Sequence, residues 1–127
     1  MRLLLDTHLL LWTVLGAERA KPVQPMVEDD ESIIFFSVVS VWEVAIKHDL
    51  GRPDFRVDAA WLRKQLLGAG FEELTVLGDH VLGVSSLPKL HKDPFDRLLV
   101  AQAVAEGMTF LTTDKQLAAY PGPVRRV

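Results

Sequence analysis

Short apolar runs that break off at a carboxylate and pass directly into a helical pattern recur along this chain. They are Leu3-Leu4-Leu5-Asp6-Thr7, Ser40-Val41-Trp42-Glu43, Asp93-Pro94-Phe95-Asp96-Arg97 and Phe110-Leu111-Thr112-Thr113-Asp114. Strands alternating with helices imply a mainly parallel α/β sheet with helices on both faces, a three-layer arrangement. In such sheets ligands collect beyond the carboxyl ends of the strands. Asp6 and Asp114 directly follow strands, so both belong at that edge.

Read in order, Arg2–Leu5 is a buried strand and Leu9–Leu15 an apolar helix that stops near Gly16. Residues 21–31 hold two prolines and an acidic run, which suits a short second helix with a solvated end. Ser32–Ser37 is β-branched and aromatic, a second buried strand. Ser40 is placed to cap a helix from Val41 to Asp49, with Glu43 as its capping-box partner. Asp58 caps a helix whose buried face is Ala59, Leu62, Leu66 and Leu67, ending at Gly68 or Gly70. Phe71–Leu77 is a third strand and Asp79–Leu87 a short helix. The clearest helix runs from Asp93 to Glu106: Asp93 is the N-cap, Pro94 the first helical residue, and Gly107 the stop. Met108–Leu111 is a fourth strand, Thr113 or Asp114 caps a last helix through Ala119, and Val124 starts an edge strand.

At 127 residues the chain fits a single domain, 1–127, that can bury a real core. It has no cysteine, which removes disulfides and thiolate-bound zinc and fits a cytoplasmic location. Asp6, Thr7 and His8 interrupt the apolar N-terminus, so it does not read as a signal peptide, and no membrane span is expected. The net charge of −3 at first opposes a nucleic-acid partner. Setting aside Asp6, Glu43, Asp93, Asp96 and Asp114 from the 17 acids leaves 12 against 14 bases, a slightly basic remainder.

Each of these five carboxylates has an ordinary structural role open to it. Asp6, Asp93 and Asp114 could cap helices; Asp96 could complement a helix dipole; Glu43 could pair with Ser40 or with Lys47. Together they favour chemistry. Mg²⁺ and Mn²⁺ take oxygen ligands and share carboxylates with waters and substrate phosphate. Clustered acids without a cation repel one another, which is a poor purely structural choice.

Asp6-Thr7-His8 with Leu11-Trp12, the segment 37–47, the stretch from His91 through Asp93-Pro94-Phe95-Asp96-Arg97 to Ala103, and Leu111-Thr112-Thr113-Asp114 resemble the PIN-domain ribonucleases. Within them the chain is similar to the VapC-type toxins of toxin–antitoxin pairs. The resemblance runs through nearly the whole chain, with no departure at the acidic positions. It implies an α/β/α domain that cleaves RNA with Mg²⁺ or Mn²⁺, partnered by an antitoxin. It maps Asp6, Glu43, Asp96 and Asp114 onto the metal-binding, catalytic acids, with Asp93 as an extra ligand or a cap. Thr7 and Thr112 or Thr113 fall where a hydroxyl supports those acids.

Arg97, Lys92 and Lys47 are candidates to hold phosphates. The four histidines show no metal-binding spacing, although His8 and His91 lie near the acids. Trp12, Trp42 and Trp61 could stack on bases or pack in the core. Leu9, Leu10, Leu11 and Trp12 exceed what one helix face needs, which suggests a homodimer interface or an antitoxin groove. Two other readings compete. A phosphoacceptor receiver domain would need adjacent acids after the first strand, and this chain lacks them. A non-catalytic PIN-like interaction module would be expected to lose one of the acids, and all are present.

Overall fold

The computed structural model describes all residues, Met1–Val127. Five strands, β1 (Arg2–Leu5), β2 (Ile33–Ser37), β3 (Glu72–Leu74), β4 (Thr109–Thr112) and β5 (Val124–Arg126), form one sheet in the order β3-β2-β1-β4-β5. All four pairings are parallel. A receiver domain has the order 2-1-3-4-5, so this order excludes that reading.

Strand alternation divides the core into two layers. Leu3, Leu5, Ile34, Phe36 and Leu111 face one layer. There they meet Leu9, Leu10 and Leu11 of α1 (Thr7–Leu15), Val44 of α3 (Val38–Asp49), and Leu62 and Leu66 of α4 (Ala59–Gly68). Leu4, Phe35 and Phe110 face the other layer, against Val39, Leu99, Val100 and Ala103, the last three on α6 (Pro94–Glu106). The three-layer α/β/α expectation is met. The remaining helices are the short α2 (Gln24–Val27), α5 (Gly78–Gly83) and α7 (Lys115–Ala118), with 3₁₀ turns at Glu18–Ala20 and Val84–Ser86.

Several local expectations need correction. α3 starts at Val38, not Val41, because Ser37 leaves β2 in extended geometry and its Oγ accepts the Val39 N–H at 3.0 Å. Ser40 therefore lies inside the first turn, and the Ser40–Glu43 capping box does not form. α1 begins two residues earlier than its apolar run, at Thr7. Leu67 is exposed: Leu62 and Leu66 share the i,i+4 stripe that α4 turns inward, and Leu67 falls off it. Phe71–Leu77 yields only the three-residue edge strand β3, which has a single neighbour to pair with. Leu9, Leu10 and Leu11 are all buried within the chain, so the surplus apolar surface of α1 needs no partner to cover it.

Candidate active site

The parallel sheet brings its strand ends to one edge, and there a cleft of about 360 Å³ opens. Its walls include Asp6, Glu43, Asp93, Asp96 and Asp114, drawn from four segments of the sequence. Lys47, Arg19, His8, Trp12, Asp54 and Thr113 complete it.

Asp6 follows β1 and stands at the N-cap position of α1, but its side chain makes no cap hydrogen bond. Its Oδ2 instead accepts the Thr112 hydroxyl at 2.7 Å, across the β1–β4 pairing. Thr7, one residue on, lies with its Oγ1 2.6 Å from Glu43 Oε1 and 2.8 Å from Ser40 Oγ. A hydroxyl has one proton and a carboxylate only accepts, so Thr7 donates to Glu43 and receives from Ser40. Both threonines thus hold acids in place. Glu43 is buried, and its other oxygen lies 2.5 Å from Lys47 Nζ one turn along α3. The position of Glu43 is therefore set from two elements at once.

Asp93 and Asp114 divide their oxygens. Asp93 Oδ1 accepts the Phe95 and Asp96 N–H groups at the start of α6, while its Oδ2 lies 3.8 Å from Lys47 Nζ. Asp114 Oδ1 accepts from Gln116 and Leu117 and so caps α7, while its Oδ2 faces His91 Nε2 at 3.3 Å. Asp96 carries no cap; its Oδ2 is 3.7 Å from the same His91 nitrogen.

Donor atoms of His91, Asp96 and Asp114 lie within 4.8 Å of one another, close enough to surround a cation. The hydrogen bonds assign His91 a different part. Its Nδ1 accepts the Asp93 N–H at 3.1 Å, so a neutral ring carries its proton on Nε2 and points it at the carboxylates. His91 is a donor that orients Asp114, with its own N–H held by the Tyr120 hydroxyl at 3.1 Å. Sequence spacing missed this role because Asp114, which His91 faces, lies 23 residues further along the chain.

The electrostatics are those of a site short of positive charge. Desolvation pushes the Asp96 carboxyl up to about 8, reinforced by Asp6, Asp93, Glu43 and Asp114. Burial also raises Asp6, opposed by the Thr112 hydrogen bond and His8 and assisted by Glu43. A divalent cation among these oxygens would relieve both the desolvation and the mutual repulsion, and the oxygen-only donor set suits Mg²⁺ or Mn²⁺.

A family model described as PIN domain matches residues 3–123. The chain belongs to the PIN-domain family. Solved structures similar to it include VapBC2 from Rickettsia felis bound to a DNA fragment from its promoter, at TM-score 0.71 and 13% identity, covering 99% of this chain and 98% of that one. DNA-bound VapBC from Salmonella typhimurium is similar at TM-score 0.69 and 12% identity, covering 99% and 98%. A toxin–antitoxin complex from Klebsiella pneumoniae is similar at TM-score 0.64 and 18% identity, covering 96% and 94%. At such identities the likeness is one of fold. No curated protein matches the chain.

Within this PIN domain all five carboxylates singled out from the sequence meet in one cleft, and so does Lys47. Arg97 does not: its guanidinium turns away to donate to the Val84 and Leu87 carbonyls at 3.0 and 3.4 Å. Lys92 lines a separate cleft with Arg97, Lys89 and Pro94. Neither lines the acid cleft: on α6 Asp96 takes the inward direction and Arg97 the next one round, and Lys92 precedes the helix. Trp42 and Trp61 are exposed, and only Trp12 borders the acids. Arg19 and Asp54 also border them and carry no signal in the sequence.

Proposed function

We propose that residues 1–127 form one PIN domain acting as a metal-dependent endoribonuclease, the VapC-type toxin of a toxin–antitoxin pair. The convergence of Asp6, Glu43, Asp96 and Asp114 from four separate elements on one cleft at the carboxyl edge of the sheet carries this reading. Family membership supports nuclease chemistry, and the toxin role draws on the likeness to toxin–antitoxin complexes. Asp6, Glu43, Asp96 and Asp114 are the catalytic acids and would hold Mg²⁺ or Mn²⁺. Asp93 takes part through Oδ2 at most, since Oδ1 is committed to the α6 cap.

Bound Mg²⁺ or Mn²⁺ would supply Lewis acidity to a phosphodiester and a lowered pKa to water beside it. The chain's own residues do the rest. Thr112 fixes Oδ2 of Asp6. Thr7 fixes one oxygen of Glu43, and His91 turns Asp114 into the cleft. Lys47 balances Glu43 and lies 3.8 Å from Asp93, so its charge offsets the acids of the cleft. No cysteine is available and no serine–histidine pair lines the cleft, so hydrolysis by water is the economical route, with the 2′-hydroxyl outside the reaction.

No helix is long and apolar enough to cross a membrane. Exposed Leu77, Val81 and Leu82 at α5 offer a face to a second copy of the chain, and the homodimer is proposed there rather than on α1. Gel filtration at low micromolar concentration is expected to give a dimer; a monomer alone would remove that part. The primary test is RNA cleavage by the purified protein with Mg²⁺ or Mn²⁺, against EDTA and against Asp96→Asn. Metal-dependent cutting that vanishes in the variant supports nuclease and site together. Binding of metal and of a protein partner without any cutting would favour the interaction module.

A further inference from the structure

One cation of the acid cleft has no carboxylate partner. Arg19, in the 3₁₀ turn after α1, is exposed, and its side chain forms neither an ion pair nor a hydrogen bond within the chain. Its guanidinium lies over the Trp12 ring, 4.4 Å from the centroid. That ring is fixed in turn: the His8 imidazole stands 5.6 Å away centre to centre, tilted against it. His8 is held by Asp54 Oδ2 at 3.1 Å from Nε2 and by the Phe55 ring at 5.2 Å. Asp54, His8, Trp12 and Arg19 line the same cleft as Asp6, Asp96 and Asp114.

A cleft lined by carboxylates repels a polyanion, and bound metal offsets only part of that charge. Lys47 is already spent on Glu43 at 2.5 Å. Arg19 is left with its N–H donors unused and its guanidinium over an aromatic face, and a guanidinium fork can take two oxygens of one phosphate. Stacking on Trp12 also removes much of the rotamer freedom that gripping a ligand would otherwise cost.

We propose that Arg19, laid across Trp12, receives the non-bridging oxygens of an RNA phosphate flanking the one that is cut, and so sets where the strand enters the acid site. The inference rests on the ribonuclease reading above and adds a substrate-gripping residue to it. Because Arg19 is exposed and bonded to nothing else in the chain, alanine there leaves the fold unchanged.

Binding is measured with a short fluorescein-labelled single-stranded RNA of mixed sequence, in the Asp96→Asn background so that the RNA survives. Adding Arg19→Ala is expected to weaken binding about five- to tenfold. The slope of log affinity against log salt should fall by about 0.7, the share of one single-strand phosphate contact. Arg19→Lys should keep that slope but recover only part of the affinity, since an ammonium neither stacks nor forks. In otherwise wild-type protein the loss should appear in KM rather than kcat. Unchanged affinity and slope in Arg19→Ala, while wild-type protein still cuts RNA with metal, would overturn the Arg19 role and leave the nuclease standing. Wild-type protein that cuts no RNA with Mg²⁺ or Mn²⁺ would remove the nuclease reading and this one with it.

Discussion

At the scale of single residues, each acid of the cleft is defined by what its two oxygens are doing. Asp96 has neither oxygen in a cap, is partly buried, and has four other carboxyls around it, so a cation would relieve it directly. Raised from 3.8 to about 8, it stays protonated in the folded metal-free chain over the interval in which an unfolded carboxyl ionises. The folded state then binds more protons than the unfolded one, so this contribution to stability falls as pH rises from about 4 to about 8. Metal-free Asp96→Asn should therefore be more stable than wild type at pH 8, by roughly 2 kcal/mol, with the gap closing toward pH 4. Thermal melts at both pH values check this; an equal gap at both would show that Asp96 carries no burial penalty. The same variant should lose about 100-fold or more of its cleavage rate with metal present. Thr112→Val acts differently, since it spares every carboxylate and removes only the hydroxyl on Asp6 Oδ2. Its requirement for Mn²⁺ should rise by about tenfold, read from the metal dependence of cleavage. Unaltered metal dependence would mean that Asp6 is held well enough by its backbone alone.

At the scale of elements, α3 shows how one helix serves both fold and site. Ser37 accepts the Val39 N–H and donates to Gln102 Oε1 at 2.5 Å, tying the start of α3 to the middle of α6. Gln102 continues to the Thr75 carbonyl at 3.2 Å, next to buried His80, whose Nε2 lies 3.0 Å from Glu106 Oε2. Ser37→Ala removes a cap and leaves a buried amide oxygen unpaired, a loss of about 2 kcal/mol in urea unfolding with the denaturant slope unchanged. A loss below about half a kcal/mol would mean that another group replaces the hydroxyl. Start points of helices were the weakest part of the sequence reading for the same reason. Ser37 and Ser40 are equally good caps in isolation, and the choice between them depends on where β2 stops pairing with β3. The caps at Asp58 and Asp93 were legible because each stands where an apolar periodicity begins with no rival nearby, whereas Thr113 and Asp114 were both open and Asp114 is the one that accepts the N–H groups.

For the whole molecule, the proposed metal site would make stability depend on the cation. A cation bound by the folded chain and not by the unfolded one should stabilise it by about 2.7 kcal/mol at a hundred times its dissociation constant. Melting temperature should therefore climb with Mg²⁺ or Mn²⁺, and Asp96→Asn should abolish most of the rise. An identical rise in the variant would place the ion elsewhere. The sequence by itself determined the architecture, because strand and helix periodicities and their alternation are local and admit few parallel arrangements. It also singled out the five acids that line the cleft, Asp6 and Asp114 because each follows a strand that ends at one sheet edge. Only the tertiary structure decided the rest. The rotation of α3 that aims Glu43 inward, the outward turn of Arg97, the tautomer of His91 and the laying of Arg19 over Trp12 depend on contacts between residues remote in the chain. Such contacts come from packing two layers against one sheet, and no local pattern of residues encodes them.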